Sequence, residues 1–138
     1  MLRYPNNMRN SLLSALLLFS FVSLHSLAAN AQSSSAPVSP TLISAELGTC
    51  SALITVTGTD AKPIFNVKVT TRIRYGMMGV KKLDLETFTS AGGQVKIAGL
   101  PEVPRKPIFF YISKDDKLEI IEFKPDVRCH STFDVVLK

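Results

Sequence analysis

From Asn66 to Tyr75 the chain reads NVKVTTRIRY, with Val67, Val69, Thr71, Ile73 and Tyr75 at odd positions and Lys68, Thr70, Arg72 and Arg74 at even ones. A period of two puts each set on its own face of an extended chain. The segment therefore predicts a half-buried antiparallel strand, with β-branched side chains inward and charged ones in water. After Gly76-Met77-Met78-Gly79-Val80 the alternation resumes in KKLDLET, residues 81–87, which predicts a hairpin. Pairing Tyr75 with Lys81 sets Ile73 against Leu83, Thr71 against Leu85 and Arg72 against Asp84. A slip of one residue would turn the apolar set toward water, so the pattern selects this register.

Runs of the same kind occupy residues 42–47, 52–57, 94–98, 108–113, 117–123 and 132–137. Turn-forming residues separate them, among them Gly58-Thr59-Asp60-Ala61-Lys62-Pro63, Asp115-Asp116 and Lys124-Pro125-Asp126. No segment after Ala31 carries helical apolar spacing. Seven or eight short strands in about a hundred residues predict a single all-β sandwich over residues 41–138.

The glycine-rich stretch SAGGQVKIAGLP, Ser90 to Pro101, fits this scheme better than it fits a phosphate cradle. A cradle places its glycines before a helix, whose N-terminal amides bind the anion. Here the glycines lead into a strand, with Val95 and Ile97 inward, Gln94 and Lys96 outward, and Gly92 and Gly93 free to take positive φ in the turn. Taken with PIFNVKV at residues 63–69, TSAGGQVKIAGLP at residues 89–101 resembles the carboxypeptidase regulatory-like domain family. That family shows G-x-P-x-x-G/N-A/V-x-V followed by T-D-x-x-G-x-F-x-I-x-G-L-P. The resemblance implies a transthyretin-like or immunoglobulin-like antiparallel sandwich, used as an accessory module on exported bacterial proteins. The chain departs from the pattern at Ser90, where Asp is common, and after Pro101, where EVPRKP stands in place of a short G-x-Y continuation.

Residues 1–31 carry Arg3 and Arg9, no acid, and a continuous apolar centre between Leu12 and Leu27 that ends in Ala29-Asn30-Ala31. That arrangement predicts an export signal cut before Gln32, with retention as a membrane anchor as the alternative. Gln32 rather than a cysteine stands directly after the cut site, so a lipid anchor is not expected. Residues 32–40, QSSSAPVSP, read as a flexible leader. Removing residues 1–31 takes two arginines and no acid from a chain of net charge +5, which leaves a net +3. Those charges are dispersed, and no run supports a nucleic-acid footprint. The two cysteines, Cys50 and Cys129, are expected to form a disulfide in an oxidising compartment, periplasmic or extracellular.

Candidate chemistry is sparse. His25 falls within the signal, which leaves His130 with no histidine partner for a zinc site or a proton relay. His130 beside Cys129 would activate a thiolate only if that cysteine were free, and a turn histidine is the expectation. Met77 and Met78 at a loop tip offer soft ligands for copper or a grip on a partner. No third soft ligand stands near them in sequence, and the expectation is that they fold over the sandwich end as apolar plugs. Phe109 and Tyr111 lie in IFFYI, which is apolar on both faces. Burial under a loop is expected; exposure would instead present an aromatic surface for sugar or protein. Lys68, Arg72 and Arg74 form a basic stripe expected to be merely solvated. The combined expectation is a non-enzymatic binding or structural accessory protein of the envelope, with no cofactor or metal, whose partner is an envelope protein or a glycan. The alternatives are a carbohydrate-binding module using exposed aromatics and a small secreted hydrolase or redox enzyme.

Overall fold

The computed structural model describes residues 37–138. The expected signal, and the leader through residue 36, lie outside the described residues. The strands are β1 (Thr41–Ser44), β2 (Cys50–Thr57), β3 (Lys68–Tyr75), β4 (Lys81–Phe88), β5 (Gln94–Leu100), β6 (Ile108–Lys114), β7 (Lys117–Phe123) and β8 (His130–Val136). One 3-10 turn, Met77–Gly79, joins β3 to β4, and no α-helix occurs among the described residues. The first strand stops at Ser44 rather than at Leu47 because Glu46 takes a φ of 55° and turns the chain.

Two four-stranded sheets result, the first ordered β1-β5-β2-β8 and the second β4-β3-β6-β7. The β3–β4 register matches the expectation pair by pair, from Tyr75↔Lys81 through Arg72↔Asp84 to Lys68↔Phe88. One expectation is corrected, since the sandwich is not wholly antiparallel. The β1–β5 and β2–β8 pairs run parallel. Both join strands remote in sequence, and in-out alternation sets which face a side chain takes without setting which strand lies alongside.

The inward faces form one core. Ala52, Ile54, Val56, Val95 and Ile97 of the first sheet meet Val69, Ile73, Ile108, Phe110 and Ile112 of the second, all with at most 1% of their surface exposed. Burying a side chain of the size of Val, Ile or Phe contributes roughly 1.5–3 kcal/mol relative to leaving it in water. Phe133 of β8 packs against Phe110 and Phe123 of the second sheet at ring-centroid distances of 6.4 and 6.2 Å, edge-on to both. These contacts couple the outermost strand of one sheet to the middle and edge of the other. The disulfide forms between Cys50 and Cys129, whose Cα atoms are 4.6 Å apart. It joins neighbouring strands of the first sheet rather than one sheet to the other.

Both segments that carry the family resemblance meet at Thr89, which is 2% exposed. The Val67 N–H donates to Thr89 Oγ1 at 2.9 Å, and that hydroxyl donates to the Ile64 carbonyl at 2.7 Å. Backbone bonds from Asn66 N–H to Thr89 O and from Thr89 N–H to Val67 O flank them at 3.1 and 3.0 Å. One threonine thus fastens the crossing from β2 to β3 against the turn from β4 to β5. Of the two glycines in that turn only Gly93 has a positive φ, 71°, and a Cβ there would fall 2.5 Å from the Val56 carbonyl oxygen. The glycine is required by conformation and by space together.

Thr71 supplies a contrast, since it is 4% exposed and its hydroxyl has no partner among the described residues. Replacing Thr by Val should therefore act with opposite sign at the two sites. Thr89→Val strands a buried amide and a carbonyl, and urea unfolding should report a loss of about 1–3 kcal/mol. Thr71→Val removes an unpaired buried hydroxyl and should leave stability equal or raise it by up to about 1 kcal/mol. Equal losses at both positions would contradict these assignments.

Candidate binding face

The outward side chains of the second sheet form a surface with a defined order. Across β4, β3, β6 and β7 one row holds Glu86, Thr70, Tyr111 and Ile120, and the next toward the β3–β4 turn begins with Asp84 and Arg72. Phe109 lies beside Tyr111 on the same face of β6, where it pairs with Glu122. Strict alternation along β6 buries Ile108, Phe110 and Ile112 and turns Phe109 and Tyr111 outward, with 37% and 40% of their surface in water. The expected burial of these two rings is therefore corrected. No loop among the described residues covers the strand, and its second apolar set is exposed.

The polar half of the face is preorganised. Arg72 grips Asp84 with two bonds, Nε to Oδ1 at 2.6 Å and Nη2 to Oδ2 at 3.3 Å. Lys68 lies 3.6 Å from Glu86. The hydrogen bond from Arg72 holds the Asp84 carboxyl below its ordinary range, and the Coulombic effects of Arg72 and Lys82 act in the same direction. The same bond raises Arg72, with a smaller contribution from nearby Tyr111. Beside them lies an open depression of about 570 Å3 lined by Thr70, Thr71, Arg72, Asp84, Leu85, Glu86 and Tyr111. It offers a flat aromatic ring beside donors and acceptors already fixed in position.

Other candidates lie elsewhere. Of the expected basic stripe, Lys68 and Arg72 are ion-paired on this face, whereas Arg74 stands opposite Lys82 toward the hairpin end. Met77 and Met78 are 85% and 86% exposed, so they do not plug the sandwich end. Their 3-10 turn is closed by its own backbone bonds, Gly79 N–H to Gly76 O and Val80 N–H to Met77 O, which leaves both side chains outside the core. His130 opens β8 rather than sitting in a turn, and its Nδ1 lies 2.9 Å from Ser51 Oγ. Cys129 is bonded to Cys50, and no free cysteine remains among the described residues. No group of three His, Cys, Asp or Glu among those residues is arranged to hold a metal ion. No described helix is long and apolar enough to cross a membrane.

Sequence reasoning missed Leu118, Ile120 and Phe88, which share the outer face at 57%, 52% and 40% exposure. The signal existed in KLEIIEF, where Leu118 and Ile120 alternate with the inward Ile121 and Phe123, but apolar residues on both faces hide which set is outside.

Because Asp84 is held below its ordinary value, the pair with Arg72 should be complete above the unfolded-state aspartate pKa and be lost as pH falls through the lowered folded-state value. Arg72→Gln should move the Asp84 titration upward toward the ordinary aspartate range, read from its side-chain carboxyl resonance. An unchanged titration midpoint would remove the pair as the cause.

No family model matches the chain, and no curated protein matches it. Among solved structures the chain is similar to a 9R-lipoxygenase from Cyanothece PCC8801, at 14% identity and a TM-score of 0.42. The likeness covers 66% of this chain and 17% of the lipoxygenase chain, a minor part of that enzyme's length.

Proposed function

We propose that this chain is an exported, non-enzymatic β-sandwich of the bacterial envelope that acts by binding, and that the outer face of the second sheet is its recognition surface. The observation that carries the reading is the pairing of exposed Phe109 and Tyr111 with the fixed Arg72–Asp84 and Lys68–Glu86 groups on one side of one sheet. Apolar anchors next to ordered polar groups are what recognition requires, since the anchors supply desolvation energy and the polar groups supply selectivity. The disulfide supports an oxidising destination. It also supports the non-enzymatic reading over a Cys129–His130 enzyme, because the sulfur such chemistry needs is already bonded.

The fold-family proposal is a transthyretin-like or immunoglobulin-like sandwich of the carboxypeptidase regulatory-like kind. Its support is the convergence of the two resembling segments on Thr89, which bonds to Val67 and Ile64, and on Gly93, which packs against Pro63 and Ile64.

A glycan is the second reading for the ligand, favoured by the depression beside Tyr111. There a ring face adjoins two carboxylates, a guanidinium and a hydroxyl, the groups that would stack on a pyranose and bond its hydroxyls. The test is capture from envelope extract by the immobilised exported chain, with the captured material analysed for protein and for sugar. Tyr111→Ala combined with Phe109→Ser should weaken capture by about tenfold or more, while unfolding stays cooperative. An extract that yields nothing, or a double variant that captures as well as the original, would overturn the assignment of this face.

A further inference from the structure

A second surface lies at the β3–β4 end of the sandwich and is built differently. Met77 and Met78 project from the turn, Val80 beside them is 75% exposed, and Val103 of the β5–β6 loop is 79% exposed. The two loops touch, for a Cβ placed on Gly79 would lie 3.2 Å from Arg105 Cβ and 3.7 Å from Arg74 Cβ. Arg74, Lys81, Lys82 and Arg105 adjoin the apolar tip, and Lys106 follows Arg105 in the β5–β6 loop. None of these five is ion-paired among the described residues, whereas the ion pairs present involve Lys62, Lys68, Arg72 and Lys124. Two of the three acids nearby are occupied. Glu102 accepts bonds from Thr49 N–H and Oγ1 at 2.8 and 2.6 Å, Glu122 is paired with Lys124, and Asp126 lines a depression together with Val103, Arg105 and Lys106.

From this arrangement we infer that the β3–β4 tip, with the adjoining β5–β6 loop, docks on an anionic lipid surface. Charge complementarity favours that occupant, because a ring of unpaired cations meets a negatively charged headgroup layer favourably while the apolar tip enters the acyl boundary. The shape agrees with it. The apolar side chains sit on a projecting turn rather than in a groove, so a deformable partner can surround them. Arg74 and Arg105 also border an open depression of about 430 Å3, which Glu102 lines as well, its carboxylate already bonded to Thr49. Lys81, whose ammonium lies 5.9 Å from the Tyr75 ring centre, and Lys82 have stems long enough to reach the headgroups while the tip is immersed. This surface is independent of the aromatic face, and either can fail alone.

The chain contains no tryptophan, so one introduced indole reports its own position. Met77→Trp places it at the tip, and Ile120→Trp places it on the outer face of the second sheet as a control in the same full chain. With vesicles of equal parts phosphatidylglycerol and phosphatidylcholine at low salt, the Met77→Trp emission should shift to the blue and be quenched by lipids brominated in the acyl chain. The Ile120→Trp emission should stay unchanged. Adding Arg105→Glu and Lys106→Glu to Met77→Trp should weaken the vesicle-dependent change by about tenfold or more, and raised salt or vesicles of phosphatidylcholine alone should do likewise. The proposal is overturned if the tip indole does not respond, or if both indoles respond equally, since contact would then occur through another part of the chain. It is overturned as well if quenching ignores the charge reversals, or if the tip captures an acidic protein while vesicles leave its emission unaltered.

Discussion

The structure depends on holding together two strands that the chain separates by most of the folded region. Strand β2 is central in its sheet, and its parallel neighbour β8 is the last strand of the fold. Their pairing closes a loop whose ends, Cys50 and Cys129, are 79 residues apart. The chain-entropy model puts the stabilisation from cross-linking such a loop at about 4–5 kcal/mol. That is comparable with the whole net stability of many domains, about 5–15 kcal/mol. The bridge sits where the pairing begins, next to the bond from Ser51 N–H to Cys129 O, and the far end closes with Leu137 N–H to Thr57 O. Because Phe133 of β8 also packs on Phe110 and Phe123, a β8 that came loose would take an aromatic contact between the sheets with it.

From that constraint follows the position of the proposed recognition face. The chain leaves the first sheet after β2 and returns to it at β5, and both crossings are fastened at Thr89 by bonds that use each polar atom of the threonine. With the crossings fixed, β3 and β4 have one way to lie, their odd residues against the core and Lys68, Thr70, Arg72 and Arg74 outward. The Arg72–Asp84 grip is thus a product of register, and as an exposed pair it contributes little to stability. Its worth lies in presenting a guanidinium and a carboxylate at a fixed separation from Tyr111.

What could be read from residues alone divides along physical lines. The β3–β4 hairpin was legible to the individual pair, because ten alternating residues and a five-residue loop leave a single register with the apolar set inward. The disulfide was legible because only two cysteines exist. The parallel pairs β1–β5 and β2–β8 were not, since alternation is a local property and strand partnership across the sandwich is decided by packing. The exposure of Phe109 and Tyr111 was misread because β6 is apolar on both faces, so hydropathy is silent on which face is covered. Met77 and Met78 were misread for a related reason: a loop side chain is buried only if something lies over it, and nothing in their own sequence says whether anything does.

The two surfaces differ in how their charges are balanced, and that difference is why a separate task is proposed for each. On the sheet face the cations Lys68 and Arg72 are matched with acids, so the field there is local and directional, suited to a ligand with hydroxyls or amides. At the tip the cations are unmatched, and their field extends outward until salt screens it, suited to a surface of dispersed negative charge. Arg74 and Lys82 of the tip set stand two residues along their strands from Arg72 and Asp84, about 7 Å at 3.3 to 3.4 Å per residue. This is within the screening length of about 8–10 Å near physiological salt, and Lys82 helps to lower Asp84, so the two sets of charges are coupled where they adjoin. Mechanically the two remain joined, because β3 and β4 run paired over all eight positions from the face to the turn. A contact made at the tip would therefore limit the directions in which the aromatic face can point, and through Lys82 it would also reach the Asp84 carboxylate.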